Sequence, residues 1–226
     1  MTDTLCDIRR SIRNVPAAPA IRSYPLALTW LLLLAWLLAS PVLAAEPAGK
    51  VAFVTGQVSV LRDGRESAPQ IGDSVYPGDR FETGTGSHIH LRMVDGAFIS
   101  LRSDSALRLD AYRYTPDHPA DSKAHVTLLH GVARSVTGEI GARNKNHFRF
   151  NTPVAAIGIR GTDFSVMTTP DDSRLSVRRG GVVMAPLSRS CESTGLGPCQ
   201  AGARDLYADQ KGALLEARRG ARQARI

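Results

Sequence analysis

The residue types best suited to chemistry in this chain are few and widely spaced. His88 and His90 stand two positions apart in an apolar-alternating run, so a strand there puts both imidazoles on one face, as a metal site requires. A third ligand is not specified by the spacing. His130 or His147 joins them only through tertiary contact, and the pair opposes the apolar Ile89, Leu91 and Met93, which reads equally as an exposed polar strand face. No metal or other cofactor is assigned. The carboxylates Asp95, Asp104 and Asp110 are scattered around turn positions and read as turn or cap residues. A glycosidase pair among them would depend on a tertiary separation that spacing does not reveal. No G-x-S-x-G, H-E-x-x-H or S-x-x-K pattern occurs, so no catalytic residue is assigned and a metal-dependent hydrolase is the weakest of the readings.

Two further groups invite a structural use. Cys191 and Cys199 flank the polar loop Glu192–Pro198 without C-x-x-C spacing, and are expected to form a disulfide in an oxidising compartment, with two free thiols or a redox pair as alternatives. In the stretch Gly158, Ile159, Arg160, Gly161, Thr162, Asp163, the guanidinium either organises the turn by bonding Asp163 or nearby carbonyls, or presents a contact to a partner. No Gly-Lys-Ser/Thr follows, so this is not a phosphate loop.

These residues must be positioned by strands. Val58 and Val60 alternate with polar neighbours, and Asp63-Gly64 supplies a turn. Ile89, Leu91 and Met93, the turn Asp95-Gly96, then Ala97, Ile99 and Leu101 give a second hairpin pattern. Leu107, Leu109 and Ala111 alternate with Tyr112 and Tyr114 on the reverse face. Later strands are predicted at 126–129, 132–136, 147–151, 162–167, 175–177 and 182–185. Turn signals recur roughly every 8 to 12 residues, Gly84 and Gly158 among them, and no strand alternates with a long amphipathic helix. The predicted fold is all-β, an antiparallel sandwich or jelly-roll-like roll of many short strands. Residues 115–125 read as a polar excursion, Leu206 to Ala217 as a final hairpin or a short helix, and Arg218, Arg219, Arg222 and Arg225 as a frayed basic tail.

The address is legible before the fold. An uncharged run from Leu26 to Leu38 follows Arg9, Arg10, Arg13 and Arg22, and ends in Val42-Leu43-Ala44-Ala45. That pattern predicts a signal peptide over 1–44, cut between Ala44 and Ala45, with an uncleaved membrane anchor as the alternative. Either outcome puts the rest outside the cytoplasm, periplasmic or secreted, or anchored in the inner membrane facing the periplasm; membrane contact follows only if the segment is retained. The chain carries 28 Lys and Arg against 21 Asp and Glu, and residues 45–226 stay basic at 24 against 19. In that compartment nucleic acid is excluded as a partner. An envelope protein, an anionic glycan or lipopolysaccharide remains. The organisation expected is a signal segment at 1–44, a β domain at 45–185, and a disulfide-bridged loop with a basic C-terminal segment at 186–226.

The order of motifs resembles the FecR domain family. The resemblance is carried by Gly49-Lys50-Val51, Gly56-Gln57-Val58-Ser59-Val60, Gly72 to Gly84 with its Pro77-Gly78-Asp79 corner, Ser87, Asp95-Gly96, Gly131 to Gly138, and most specifically Asn151 to Phe164. It implies an extracytoplasmic, all-β, non-enzymatic domain acting through protein contacts, best understood in regulators that pass a signal from an outer-membrane receptor to a sigma factor. Such regulators resemble tripartite proteins with a cytoplasmic sigma-binding region. About 24 residues precede the apolar run here, too few for one, so the expectation is a stand-alone exported FecR domain with a role in envelope sensing or signal transmission.

Overall fold

Strands are the main regular structure of residues 46–226, the residues described by the computed structural model, and period-two alternation marks many of them. The signal-peptide reading and the Ala44-Ala45 bond lie outside the described residues. Strands form two rows that share one long strand. The first row runs β4 (Ser74–Val75), β1 (Gly49–Thr55), β6 (His88–Met93), β7 (Phe98–Leu101), β9 (Lys123–Val136), β12 (Asp163–Thr168), β13 (Asp172–Arg179) and β16 (Leu215–Arg218). The second runs β3 (Arg65–Ser67), β2 (Val58–Arg62), β5 (Arg80–Thr83), β8 (Ser105–Arg113), β9 again, β10 (Phe148–Asn151), β11 (Ala155–Ile159), β14 (Gly181–Pro186) and β15 (Arg204–Tyr207). The sheet is open at its ends.

β9 is where the rows join. Its first half pairs with β8 and β10, its second half with β7 and β12. Gly131, at φ +88°, lies at the changeover, and a Cβ there would stand 2.3 Å from Ser105 Oγ and 2.6 Å from the Asp104 carbonyl. The two strands predicted at 126–129 and 132–136 are therefore one bent strand. The all-β, largely antiparallel expectation holds with one exception, the parallel pairing of β9 with β10. A parallel pair needs a crossover instead of a hairpin. The second half of β9 and a short helix α1 (Glu139–Arg143), which the strand pattern did not predict, provide it.

Between the rows lies one apolar core. Ile89, Leu91, Leu101 and Phe164 reach it from the first row, and Phe81, Leu107, Leu109 and Phe150 from the second. The Phe150 and Phe164 rings meet edge to face at 5.5 Å, tying the two rows together. Burying such a side chain fully contributes roughly 1.5–3 kcal/mol, which makes the alternating inward positions the main stabilising term.

The C-terminal segment forms neither the expected hairpin nor a helix. β15 pairs with β14 and β16 with β13, so the chain between them crosses from one row to the other. Leu206 and Leu215 are both buried, so each end of that crossing is pinned in the core. The basic tail is not frayed either. Arg219 Nε lies 2.8 Å from Asp171 Oδ1, Glu216 and Arg225 exchange backbone hydrogen bonds, and Ala224 is buried.

Candidate functional site

The signature stretch sits at a change of sheet. Gly158 is in the middle of β11 and not at a turn as expected; a Cβ there would come within 2.7 Å of Pro198 Cβ and 2.9 Å of Val183 Cγ1. The glycine thus admits the disulfide loop onto the outer face of the second row. Arg160 does not bond Asp163. After β11 the turn Arg160–Thr162, with Gly161 at φ +74°, carries the chain to the first row, leaving Arg160 3.4 Å from Asp205 in an exposed pair. Asp163 opens β12 and accepts two bonds from Arg134 of β9, at 2.8 and 2.7 Å. Those bonds, with Arg178 and Arg179 nearby, hold its carboxyl below the usual range. Thr162 fastens the crossing: its N–H donates to Thr137 Oγ1 at 3.1 Å, and its carbonyl accepts from Thr137 N–H at 2.9 Å.

The disulfide links Cys191 to Cys199. Its loop is held by Arg149 of β10, a buried guanidinium that donates to the Gly195 carbonyl at 3.2 Å and lies 3.2 Å from Cys199 Sγ. Burial pushes its pKa down. Beside it, Asn151 Nδ2 lies 2.8 Å from His125 Nε2 and 2.5 Å from the Ser193 carbonyl. His125 Nε2 stands 3.7 Å from Asp110 Oδ2, beyond hydrogen-bond reach. Asp110 is occupied by Arg108 and the Thr127 hydroxyl. Burial pushes the His125 pKa down, the Asp110 carboxylate opposing and Arg149 assisting, so the ring is neutral and accepts from Asn151. With its Nε2 used in this way, the cluster fastens residues 193–195 and offers no free base. Spacing gave no signal for it, because it draws on β8, β9, β10 and the loop.

The other acids are also engaged. Asp95 is buried: Oδ1 accepts from Tyr112 Oη at 2.6 Å and Ala97 N–H at 3.1 Å, and Oδ2 from Ile140 N–H at 3.2 Å, capping α1. Asp104 turns the chain at φ +53° and accepts from Thr85 and Ser103 hydroxyls, which lower its pKa. Asp79, at the Pro77-Gly78 corner, is fully buried and takes two bonds from Arg62, at 2.6 and 2.7 Å, plus one from Tyr76 N–H at 2.8 Å. Arg62 also donates to the Ser74 carbonyl and lies 4.4 Å over the Tyr76 ring, so the depression of about 790 Å³ that it lines presents a guanidinium whose Nε and Nη2 are already bonded.

His88 and His90 do lie on one face, the outer face of the first row. The His90 ring packs between Phe53 of β1 and Phe98 of β7, with centroids 5.1 and 5.2 Å away. Burial, then His88, Arg102 and Arg134, push its pKa down. His130 and His147 do not join them, and among the described residues no three His, Cys, Asp or Glu side chains converge. What this face forms is a depression of about 520 Å³, floored by Ser100 and Ser165 and edged by Phe53, His88, Arg102 and Arg178. Arg102, just after β7, and Arg178 of β13 are distant in sequence, which is why the chain order hides the site.

Among the described residues no helix is long and apolar enough to cross a membrane. No curated protein sequence matches the chain. Two crystal structures, at 1.65 and 2.50 Å resolution, of a candidate anti-sigma factor from Parabacteroides distasonis overlap it with 19% identity and TM-scores of 0.38 and 0.39. Each overlap covers 62% of this chain and 59% of the other, so the chain spans about three-fifths of the length of those structures. The family model described as FecR protein matches residues 79–183, from the Asp79 corner through the signature stretch to β14; the motifs before Asp79 lie outside it. The chain carries, over residues 79–183, a domain of the FecR family.

Proposed function

We propose that this is an exported FecR-domain protein that acts by protein contacts in the cell envelope and takes part in sensing or passing on a signal, without catalysis. The observation that carries the reading is the contrast between the acids and the outer face of the first row. Asp79, Asp95, Asp104, Asp110 and Asp163 are each taken up by structural bonds, whereas that face sets arginines without carboxylate partners beside an exposed Phe53. A disulfide between Cys191 and Cys199 suits an oxidising compartment, and with the apolar segment at 26–38 it supports a periplasmic protein, cleaved or inner-membrane anchored. The test is in-cell crosslinking of the C-terminally tagged chain, with sequencing of the mature N-terminus. Specific recovery of an envelope protein is expected; recovery of wall or lipopolysaccharide fragments alone would refute it.

The same basic face favours a second reading, a glycan- or lipopolysaccharide-binding module. Binding to purified sacculi or lipopolysaccharide that weakens as salt rises is its expected signature, and no binding at low salt would remove it.

A further inference from the structure

From the outer face of the first row we infer a docking site for an acidic segment of a partner protein, centred on Arg102 and Arg178; this rests on the protein-contact reading above. The register builds it. His90 of β6 stands opposite Ser100 of β7, Ser100 opposite Arg134 of β9, and Arg134 opposite Ser165 of β12. Two serines in that line lower the floor, while Phe53, Phe98 and the arginines rise around it, leaving the depression of about 520 Å³.

Charge decides the chemistry of the occupant. Two acids of this row are already paired, Asp163 with Arg134 and Glu216 with Arg174 and Arg218, and Asp172, which has no cation partner among the described residues, stands at the opposite end of β13 from Arg178. Lys50, Arg92, Arg102, Arg178 and Arg179 have no carboxylate partner among the described residues. On the second row Arg80, Arg108 and Arg160 each face an acid while Arg65, Arg113 and Arg204 face none among the described residues; what singles out the first row is that two unpaired guanidiniums, Arg102 and Arg178, line one depression. A surface with this surplus attracts carboxylates, and a guanidinium fork binds them bidentately. The depression also has an apolar side, since the exposed Phe53, with Phe98 and Val132, lines it. Aromatic and arginine side chains around a small hollow are the composition of a protein–protein hot spot. Anionic lipid is drawn instead by dense clusters of Lys and Arg, and a sugar platform needs an open ring face, whereas the Phe53 and Phe98 rings are engaged by His90.

The site is tested on the protein purified from its own envelope, with three probes: a fluorescent peptide of alternating Glu and Leu, vesicles containing phosphatidylglycerol, and polygalacturonate. Arg102→Glu with Arg178→Glu is compared with Arg65→Glu with Arg113→Glu, an equal charge change elsewhere, after thermal melting shows both variants folded. The peptide is expected to bind, to weaken as salt rises from about 0.05 to about 0.3 M, and to lose more than about tenfold in affinity in the first variant but less than about twofold in the second. Equal loss in both variants, or no peptide binding at low salt, overturns the site. Binding of vesicles or polygalacturonate through the same arginines, without the peptide, overturns the class of partner. The in-cell crosslink is repeated with the first variant. If an envelope protein is recovered equally by wild type and variant, the docking site falls and the protein-contact reading stands; if wild type recovers none, that reading falls.

Discussion

Asp95→Asn isolates what a single buried carboxylate does for this fold. The side chain is almost isosteric, so packing is kept and only acceptor capacity and charge change. Asp95 receives three bonds: Tyr112 Oη and Ala97 N–H on Oδ1, Ile140 N–H on Oδ2. An asparagine offers one acceptor oxygen. With Oδ1 kept on Tyr112 and Ala97, its NH₂ faces the Ile140 N–H; flipped, it faces the Ala97 N–H. Either orientation leaves one buried backbone donor opposed by a donor, at about 1–3 kcal/mol, and removes the charge from the Tyr112 bond, roughly another 1 kcal/mol. The lower desolvation cost of a neutral side chain offsets part of this, so the expected net loss is about 2–3 kcal/mol, or about 4–12 °C in Tm for a domain of this size. Urea denaturation and differential scanning calorimetry at neutral pH read it directly. Asp104→Asn, at an exposed turn that tolerates asparagine at positive φ, is the control and should melt as wild type does. A Tm for Asp95→Asn within about 1 °C of wild type would refute the assignment of Asp95 as the bond between the 95–97 turn, β8 and α1.

Burial, the Asp95 charge and the Asp95 bond together hold the Tyr112 pKa well above its ordinary value. The unfolded chain therefore releases this proton first, and stability that is complete below about pH 10 falls as pH rises, by up to about 1.4 kcal/mol per pH unit; Tyr112→Phe should flatten the decline in urea midpoints across that range. His90 and His125 have depressed pKa values, so the unfolded chain binds protons that the folded chain does not below about pH 6.5. Stability should fall on acidification through that window, and His125→Gln should reduce the slope measured between about pH 7 and 5. Replacing both Cys191 and Cys199 by Ala opens a bridge of sequence separation 8, for which loop-closure entropy gives about 2.5 kcal/mol and a drop of roughly 5–10 °C in Tm; an unchanged Tm by calorimetry would contradict it. Gly158→Ala pushes a Cβ into Pro198 and Val183, costing about 1–3 kcal/mol; the loop should lift, and the disulfide should then be reduced faster by dithiothreitol than in wild type.

The alternation of Ile89, Leu91 and Met93 with His88, His90 and Arg92 stated which side chains face the core, because a strand sends successive residues to opposite sides whatever it pairs with. Local turn chemistry placed the Asp63-Gly64 and Asp95-Gly96 turns, and a sequence separation of 8 between two cysteines is one a bridge can close. Strand partnership obeys no local rule. That β9 serves both rows, that β10 lies parallel to it, and that β15 and β16 join different rows instead of each other were decided by which apolar faces had to be covered. The chemistry followed the same division. Arg160 and Asp163 are neighbours in sequence yet stand on different rows, and Asp163 pairs with Arg134, twenty-nine positions earlier. Arg102 and Arg178 meet at one hollow only because β7, β9, β12 and β13 lie side by side. Residue type and spacing determined the faces, turns and bridge of this protein; the juxtaposition of its charges is a product of long-range pairing, and that arises only when the sheet closes over its core.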